Sequence, residues 1–224
     1  MPNNHAFATG LTFKSNFSFF ERLLVYLLKP LRRIINFLRY IEVKVAFNKS
    51  AILGEDVKFG VKAWCYSESD IEKIQIGDRT VCRGLLRLEN WSNGRINIGK
   101  DVYIGDDCLI SSALEVNIGN SAMLAHGVQV FDNNTHPIDA EARVLDYMII
   151  RGLKINDKNK NIGDDIKVSK VFIGQRVWIG FNSIIMRGVH IGDDSIIAPG
   201  SIVTHDVPSR SIFGGNPARL IRKL

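Results

Sequence analysis

Between Ile173 and Pro208 the sequence reads IGQRVW, IGFNSI, IMRGVH, IGDDSI, IAPGSI, VTHDVP, six hexads in tandem. Each opens on an aliphatic residue (Ile173, Ile179, Ile185, Ile191, Ile197, Val203). Four places later each carries a small or β-branched one (Val177, Ser183, Val189, Ser195, Ser201, Val207). Only a repeating coil explains such a pattern. One hexad is too thin to bury its own apolar side, so successive rungs must stack and share a core, which predicts an all-β parallel β-helix. Function in such a repeat belongs where the repeat breaks.

Working outward, hexads open at Leu53 and Phe59, resume at Ile76, Cys82 and Leu88, continue through Ile98, Ile104 and Ile110, and recur at Ile118, Leu124 and Val130. The longer gaps read as loops pushed out at corners. Gly77-Asp78, Gly105-Asp106, Gly119-Asn120 and Gly192-Asp193 supply residues tolerant of the positive φ that tight corners demand. The largest break lies between Val130 and Ile173. There the next aliphatic slot, residue 136, is a histidine followed by Pro137, and the chain is expected to leave the coil. Residues 137–170 form a charge-rich inserted loop with Asp139, Glu141, Arg143, Asp157, Lys158, Lys160, Asp164 and Asp165. An insert of that length in a compact domain reads as a lid or binding loop.

The formal charge of +6 is unevenly placed: residues 11–50 hold eight Lys or Arg against Glu21 and Glu42, and the rest is neutral. That clustering, without any recognised nucleic-acid module, argues against a nucleic-acid partner. Ser18 and Glu21 form a capping box before the apolar run Leu23–Leu28, and Pro30 is expected to split the helical segment into two helices, over 18–29 and 31–40. Leu23, Leu27, Leu31, Ile34, Ile35 and Leu38 make an apolar stripe, with Arg22, Lys29, Arg32, Arg33 and Arg39 around it. The run is far short of the roughly 20 residues a spanning helix needs. Two uses suit it: covering the open end of the β-helix or a partner subunit, or contacting the inner membrane peripherally through residues 16–40. No cleavable signal peptide is evident, so a cytoplasmic location is expected. Cys65, Cys82 and Cys108 fall on core phases and read as small buried thiols. The domain plan is an amphipathic helical segment over 1–50, the β-helix over 51–212, and a tail over 213–224.

The stretch Val130-Phe131-Asp132-Asn133-Asn134-Thr135-His136-Pro137-Ile138-Asp139, the rung Val177-Trp178-Ile179-Gly180 and the tail Gly214-Gly215-Asn216-Pro217-Ala218-Arg219 resemble the hexapeptide-repeat acyltransferases. Among these the chain is most similar to sugar O-acetyltransferases of the maltose, galactoside and capsule or O-antigen type. The likeness is strong from about Ile98 onward and weak before Ile76. It implies a left-handed β-helix, although parallel crossovers are otherwise right-handed. It further implies a homotrimer that uses acetyl-CoA in clefts between subunits.

By that likeness His136 is the general base. A sugar hydroxyl must lose its proton as it attacks a thioester, and imidazole, titrating near working pH, can take it and return it to the leaving thiolate. Asp132, Asn133 and Asn134 are candidates for orienting the ring or binding sugar hydroxyls. Cofactor contacts fall on Trp178, Gly180, Phe181, Pro199, Thr204, Arg219 and Arg222. Backbone N–H groups near Gly180 and Phe181 are candidates for the oxyanion. His205 stands where relatives often have Lys. His126, His190 and His205 read as surface residues.

The expected function is acetyl-CoA-dependent O-acetylation of a sugar or glycan hydroxyl by direct transfer without metal. N-acetylation of an amino sugar is the alternative within the family. A carbonic anhydrase of the same prism fold would need three His around zinc, and the spacing of 126, 136, 190 and 205 does not suit it. A non-enzymatic membrane-associated scaffold is the alternative of another class. A lipid-linked acceptor at the inner membrane face would give the basic helices a purpose.

Overall fold

The structure, a computed structural model, describes residues 19–67, 71–153 and 166–224. Ser18 of the expected capping box and the charged residues Asp157, Lys158, Lys160, Asp164 and Asp165 lie outside the described residues. Two units are distinct, residues 1–38 and 39–224.

The larger unit is a left-handed parallel β-helix of hexapeptide repeats. Its strands belong in rotation to three sheets of six, eight and six strands. The first face stacks Ile52–Leu53, Ile74–Ile76, Ile96–Ile98, Val116–Ile118, Val171–Ile173 and His190–Ile191. The second runs from Lys58–Phe59 to Ile196–Ile197, and the third from Trp64–Tyr66 to Ile202–Val203. Two further strands, Ser211–Gly215 and the antiparallel Ala218–Lys223, finish the second face.

Hexad anchors align in columns, because each sits one full turn above its predecessor. On the first face Leu53, Ile76, Ile98, Ile118, Ile173 and Ile191 are registered in series. On the third the column is Cys65, Leu86, Ile110, Val130, Ile185 and Val203. Leu86, not the expected Leu88, is thus the anchor of its rung; Leu88 pairs with Ser112 instead. The corner before Leu86 is shortened, and Gly84 permits it, since a Cβ there would come within 2.7 Å of the Cys108 carbonyl oxygen. The three cysteines are free and buried, and burial pushes the thiols of Cys65 and Cys82 up to about 12, so both stay protonated.

Positive φ at the corners falls one residue later than expected. Arg79, Ser121 and Asp194, each directly after a Gly-Asp or Gly-Asn step, have φ of 56°, 58° and 61°. The glycines serve close stacking instead: a Cβ on Gly77 would lie 2.6 Å from the Gly99 carbonyl carbon. The Asp or Asn beside each glycine completes the rung before it. Asp78 Oδ1 accepts from Glu55 N (3.0 Å), Asn120 Oδ1 from Lys100 N (2.8 Å) and Asp193 Oδ1 from Gln175 N (2.8 Å). His126 takes the same role, its Nδ1 accepting from Asp106 N at 3.1 Å.

Two elements differ from expectation. A single helix, α1 (Phe19–Ser50), runs through Pro30. Proline removes one helical hydrogen bond, and there the orphaned carbonyl belongs to Tyr26, whose surroundings are open to water, which lowers the cost. Within the larger unit Val43 and Phe47 of α1 are buried, and Phe47 stacks on Phe59 at 4.2 Å between ring centres, covering the first turn of the coil. The insertion, expected as a loop, contains a second helix, α2 (Ala140–Ile150).

Candidate active site at the break in the repeat

The chain leaves the third face after Gln129–Phe131, and its exit is held from inside by Asp132. That side chain is fully buried. Its Oδ1 accepts from Ala113 N (2.7 Å) and Asn133 Nδ2 (3.0 Å), and its Oδ2 from Ser112 Oγ (2.7 Å) and Leu114 N (2.8 Å). Four donors occupy the acceptor sites of a carboxylate, so Asp132 positions the loop and presents no oxygen to a ligand. Asn133 is likewise committed: its Oδ1 accepts from Thr135 N at 2.8 Å, closing a side-chain turn. Thr135 then takes φ 61°, which reverses the backbone and throws His136 outward. Asn134 accepts from Arg187 Nε, a residue one turn further along the coil.

Helix α2 follows at once. Asp139 is its N-cap, with extended backbone and Oδ1 accepting from Ala142 N at 2.8 Å. Ala142 and Asp146, four residues apart on one side of α2, are its buried members. The carboxylate of Asp146 reaches back to His136, with Oδ2 2.6 Å from Nδ1. The Asp146 side chain is 9% exposed and the imidazole 54%. A carboxylate against Nδ1 selects the tautomer protonated there and leaves Nε2 with a free lone pair. The returning chain closes the loop: Ser169 N donates to Asp132 O (2.7 Å) and Asn134 N to Lys167 O (3.1 Å).

Beside His136 is a pocket of about 450 Å³, its wall shared by Gln129, Phe131, Thr135, Arg143, Ile184 and Met186. It is open and largely apolar. Arg143 is anchored to the carbonyls of Pro137 and Ile138.

The structure brings Asn133, Asn134 and His136 to this pocket, and leaves the expected cofactor residues elsewhere on the chain. Trp178 stands half exposed on the second face, registered with Met123 and Ile196. Phe181, at the next corner, is also exposed. Gly180 is dictated by packing, since a Cβ would come 2.5 Å from the Pro199 nitrogen of the rung above. Thr204 Oγ1 is 2.8 Å from His205 Nδ1, and Arg219 and Arg222 lie on the final strand. Among the described residues, no three His, Cys, Asp or Glu converge as a metal site.

Sequence reasoning missed Asp146. Its signal was the Asp139 cap with Ala142 and Asp146 at helical spacing, legible only once residues 140–150 are read as a helix.

A family model, the bacterial transferase hexapeptide with six repeats, matches residues 170–205. A galactoside O-acetyltransferase of Escherichia coli K12 is 33% identical over 129 residues, 58% of this chain and 54% of its own length. A protein of the same organism (WbbJ), whose name assigns it provisionally to O-acetyl transfer in lipopolysaccharide biosynthesis, is 29% identical over 162 residues, 71% of this chain and 76% of its own. The chain spans a little over half the length of several curated relatives, 53% and 58% for two yeast proteins. Among solved structures, AntD, an N-acyltransferase from Bacillus cereus in complex with dTDP and 3-hydroxybutyryl-CoA, superposes with a TM-score of 0.61 at 20% identity, covering 80% of this chain and 85% of that one. The last likeness is one of fold.

Proposed function

We propose that this chain, a protein of the hexapeptide-repeat acyltransferase family, transfers an acetyl group from acetyl-CoA to a hydroxyl of a sugar or glycan, as a homotrimer, with His136 as general base. The observation that carries the proposal is the 2.6 Å contact between His136 Nδ1 and Asp146 Oδ2 at the edge of an open pocket. With Nδ1–H donated to Asp146, Nε2 accepts the proton of the acceptor hydroxyl as its oxygen attacks the thioester carbon. The tetrahedral intermediate then collapses: the C–S bond breaks, and the proton on Nε2 passes to the departing thiolate. The buried carboxylate stabilises the imidazolium formed between these steps, because charge–charge attraction is stronger away from bulk water.

The trimer supplies what a single chain lacks. His136 lies at the end of the third face and Trp178 on the second, so one chain does not place a thioester bound at Trp178 beside its own imidazole. A neighbouring chain's second face, set against the His136 corner, would. Outward residues support such packing: Tyr103, Met123, Trp178 and Ile196 form an apolar column on the second face, whereas the first face presents Gln75, Asn97 and Asn117 between Ile52 and Phe172. Trp178, Phe181, Pro199, Thr204, Arg219 and Arg222 are then the proposed acetyl-CoA contacts, with guanidinium groups suited to phosphate. Asn134 is the remaining candidate for an acceptor hydroxyl.

The test is thiol release from acetyl-CoA with a panel of sugar and oligosaccharide acceptors. His136→Ala is expected to lower kcat by roughly 10²- to 10⁴-fold. Turnover equal to the wild type would overturn the mechanism.

A further inference from the structure

Helix α1 carries a surface that the acetyl-transfer proposal does not use. Within its first unit, Leu23, Leu24, Leu27, Leu28, Leu31, Ile34, Ile35 and Leu38 are all large, apolar and between 41% and 60% exposed. At 100° per residue these eight fall within an arc of about 140°, which is the width of a fully apolar helix face. The opposite side carries the charge: Lys29 and Arg33 lie near the middle of the polar arc, with Arg32 toward its edge. From Phe19 to Leu38 the sequence holds Arg22, Lys29, Arg32 and Arg33 against the single acid Glu21.

Monomeric proteins seldom leave so long a strip of leucine and isoleucine in water. No described helix is long and apolar enough to cross a membrane, and Lys29, Arg32 and Arg33 interrupt the run at the spacing of one helical turn. A strong moment with low net hydrophobicity, and basic residues on the polar face, is the composition of a helix that lies in the interface plane. Long basic side chains reach back from that plane to phosphate headgroups while their stems rest on acyl chains. An apolar protein groove would satisfy the leucines and isoleucines but would give the surrounding cations no partner. A negatively charged headgroup layer satisfies both.

We infer that residues 23–38 dock this protein flat on an anionic bilayer surface, the leucine and isoleucine face entering the acyl boundary and Lys29, Arg32 and Arg33 meeting lipid phosphate. The inference stands independently of His136.

The experiment is flotation of the full-length protein with vesicles of phosphatidylcholine alone and of phosphatidylcholine with phosphatidylglycerol, in low and high salt. The wild type floats with the anionic vesicles, and binding drops at least fivefold in high salt or on neutral vesicles. Leu27→Glu/Leu31→Glu/Ile34→Glu abolishes flotation, and Arg32→Gln/Arg33→Gln loses the anionic preference while keeping residual binding. These side chains are exposed, so thermal melts of the variants should match the wild type. A wild type that stays at the bottom of the gradient with anionic vesicles overturns the inference, as does a triple variant that floats equally well. A wild type that forms large assemblies, dissolved by the triple substitution and indifferent to vesicles, also overturns it and assigns the stripe to a second copy of this chain.

Discussion

Asp146 holds the imidazole of His136 from a helix that begins only four residues after the histidine, with Oδ2 2.6 Å from Nδ1 and the carboxylate nearly buried. The ring is thereby fixed in one tautomer without any contribution from the β-helix itself. In the proposed reaction Asp146 positions the ring and does not touch the reacting atoms.

Asp146→Asn should therefore lower kcat by roughly 10- to 10³-fold while leaving KM for acetyl-CoA near the wild-type value, because an amide no longer favours the tautomer with Nε2 free and does not stabilise the imidazolium. The split between kcat and KM, read beside thermal melts, discriminates this from a purely structural role. A variant with the wild-type kcat would remove Asp146 from the mechanism.

Asp132→Ala tests the other carboxylate of the motif. It strips four donors of their acceptor, among them the backbone N–H groups of Ala113 and Leu114 inside the coil. Leaving buried donors unpaired costs about 1–3 kcal/mol each before relaxation, so a loss of about 3 kcal/mol in urea unfolding is expected. Asp132→Asn should recover part of it. A variant as stable as the wild type but deficient only in acceptor KM would return Asp132 to the ligand.

Two substitutions test the stacking role of glycine. Gly180→Ala places a methyl 2.5 Å from the Pro199 nitrogen and should cost about 2 kcal/mol or more, since the obstacle is backbone of the next rung. Gly200 has φ 68° and nothing within 4 Å of a built Cβ. Gly200→Ala should cost only the left-handed strain, about 1 kcal/mol. Thermal melts that reverse this order would refute the account of why the Trp-Ile-Gly rung needs its glycine.

Corner ion pairs set the acid limit. The guanidinium of Arg83 holds the Asp106 carboxyl below its ordinary range, Lys170 does the same for Glu115, and Arg176 for Asp194. Because these carboxylates have depressed values in the folded state, their stabilisation is complete above the ordinary carboxylate range, near pH 4, and is lost as pH falls through it toward the lower folded values. Melting temperature should hold at neutral pH and fall below about pH 4. Arg83→Gln/Arg176→Gln should flatten that fall, and an equally steep decline in the double variant would show that other groups control it.

The fold was legible because period six admits little else: every aliphatic anchor from Ile98 onward stands in the expected column. Leu88 misled because Gly84 shortens a corner, and only the close approach of the Cys108 backbone reveals why glycine is there. Pro30 misled because sequence alone does not show that the helix around it is open to water. At the site, the missing aliphatic residue at position 136 marked the break, although the chain leaves the third face earlier, after Phe131. Asp132 misled because its neighbours in sequence suggested a ligand, while its partners Ser112, Ala113 and Leu114 come from the preceding turn. Asp146 was hidden by the reading of 137–170 as loop, since a helix there erases the polar pattern that a loop would need.

The excursion that begins after Phe131 ends at Val171 with the ladder undisturbed: Val116 pairs with Val171 as it does with Ile96. Since closing a longer loop costs only about 0.6 kcal/mol for each doubling of its length, the coil tolerates almost any span between these two points. In the proposed reaction, acceptor choice can therefore diversify like a tool head on an unchanged handle: an exchanged excursion that keeps Asp146 beside His136 would alter what meets the imidazole while the ladder of rungs stays in register.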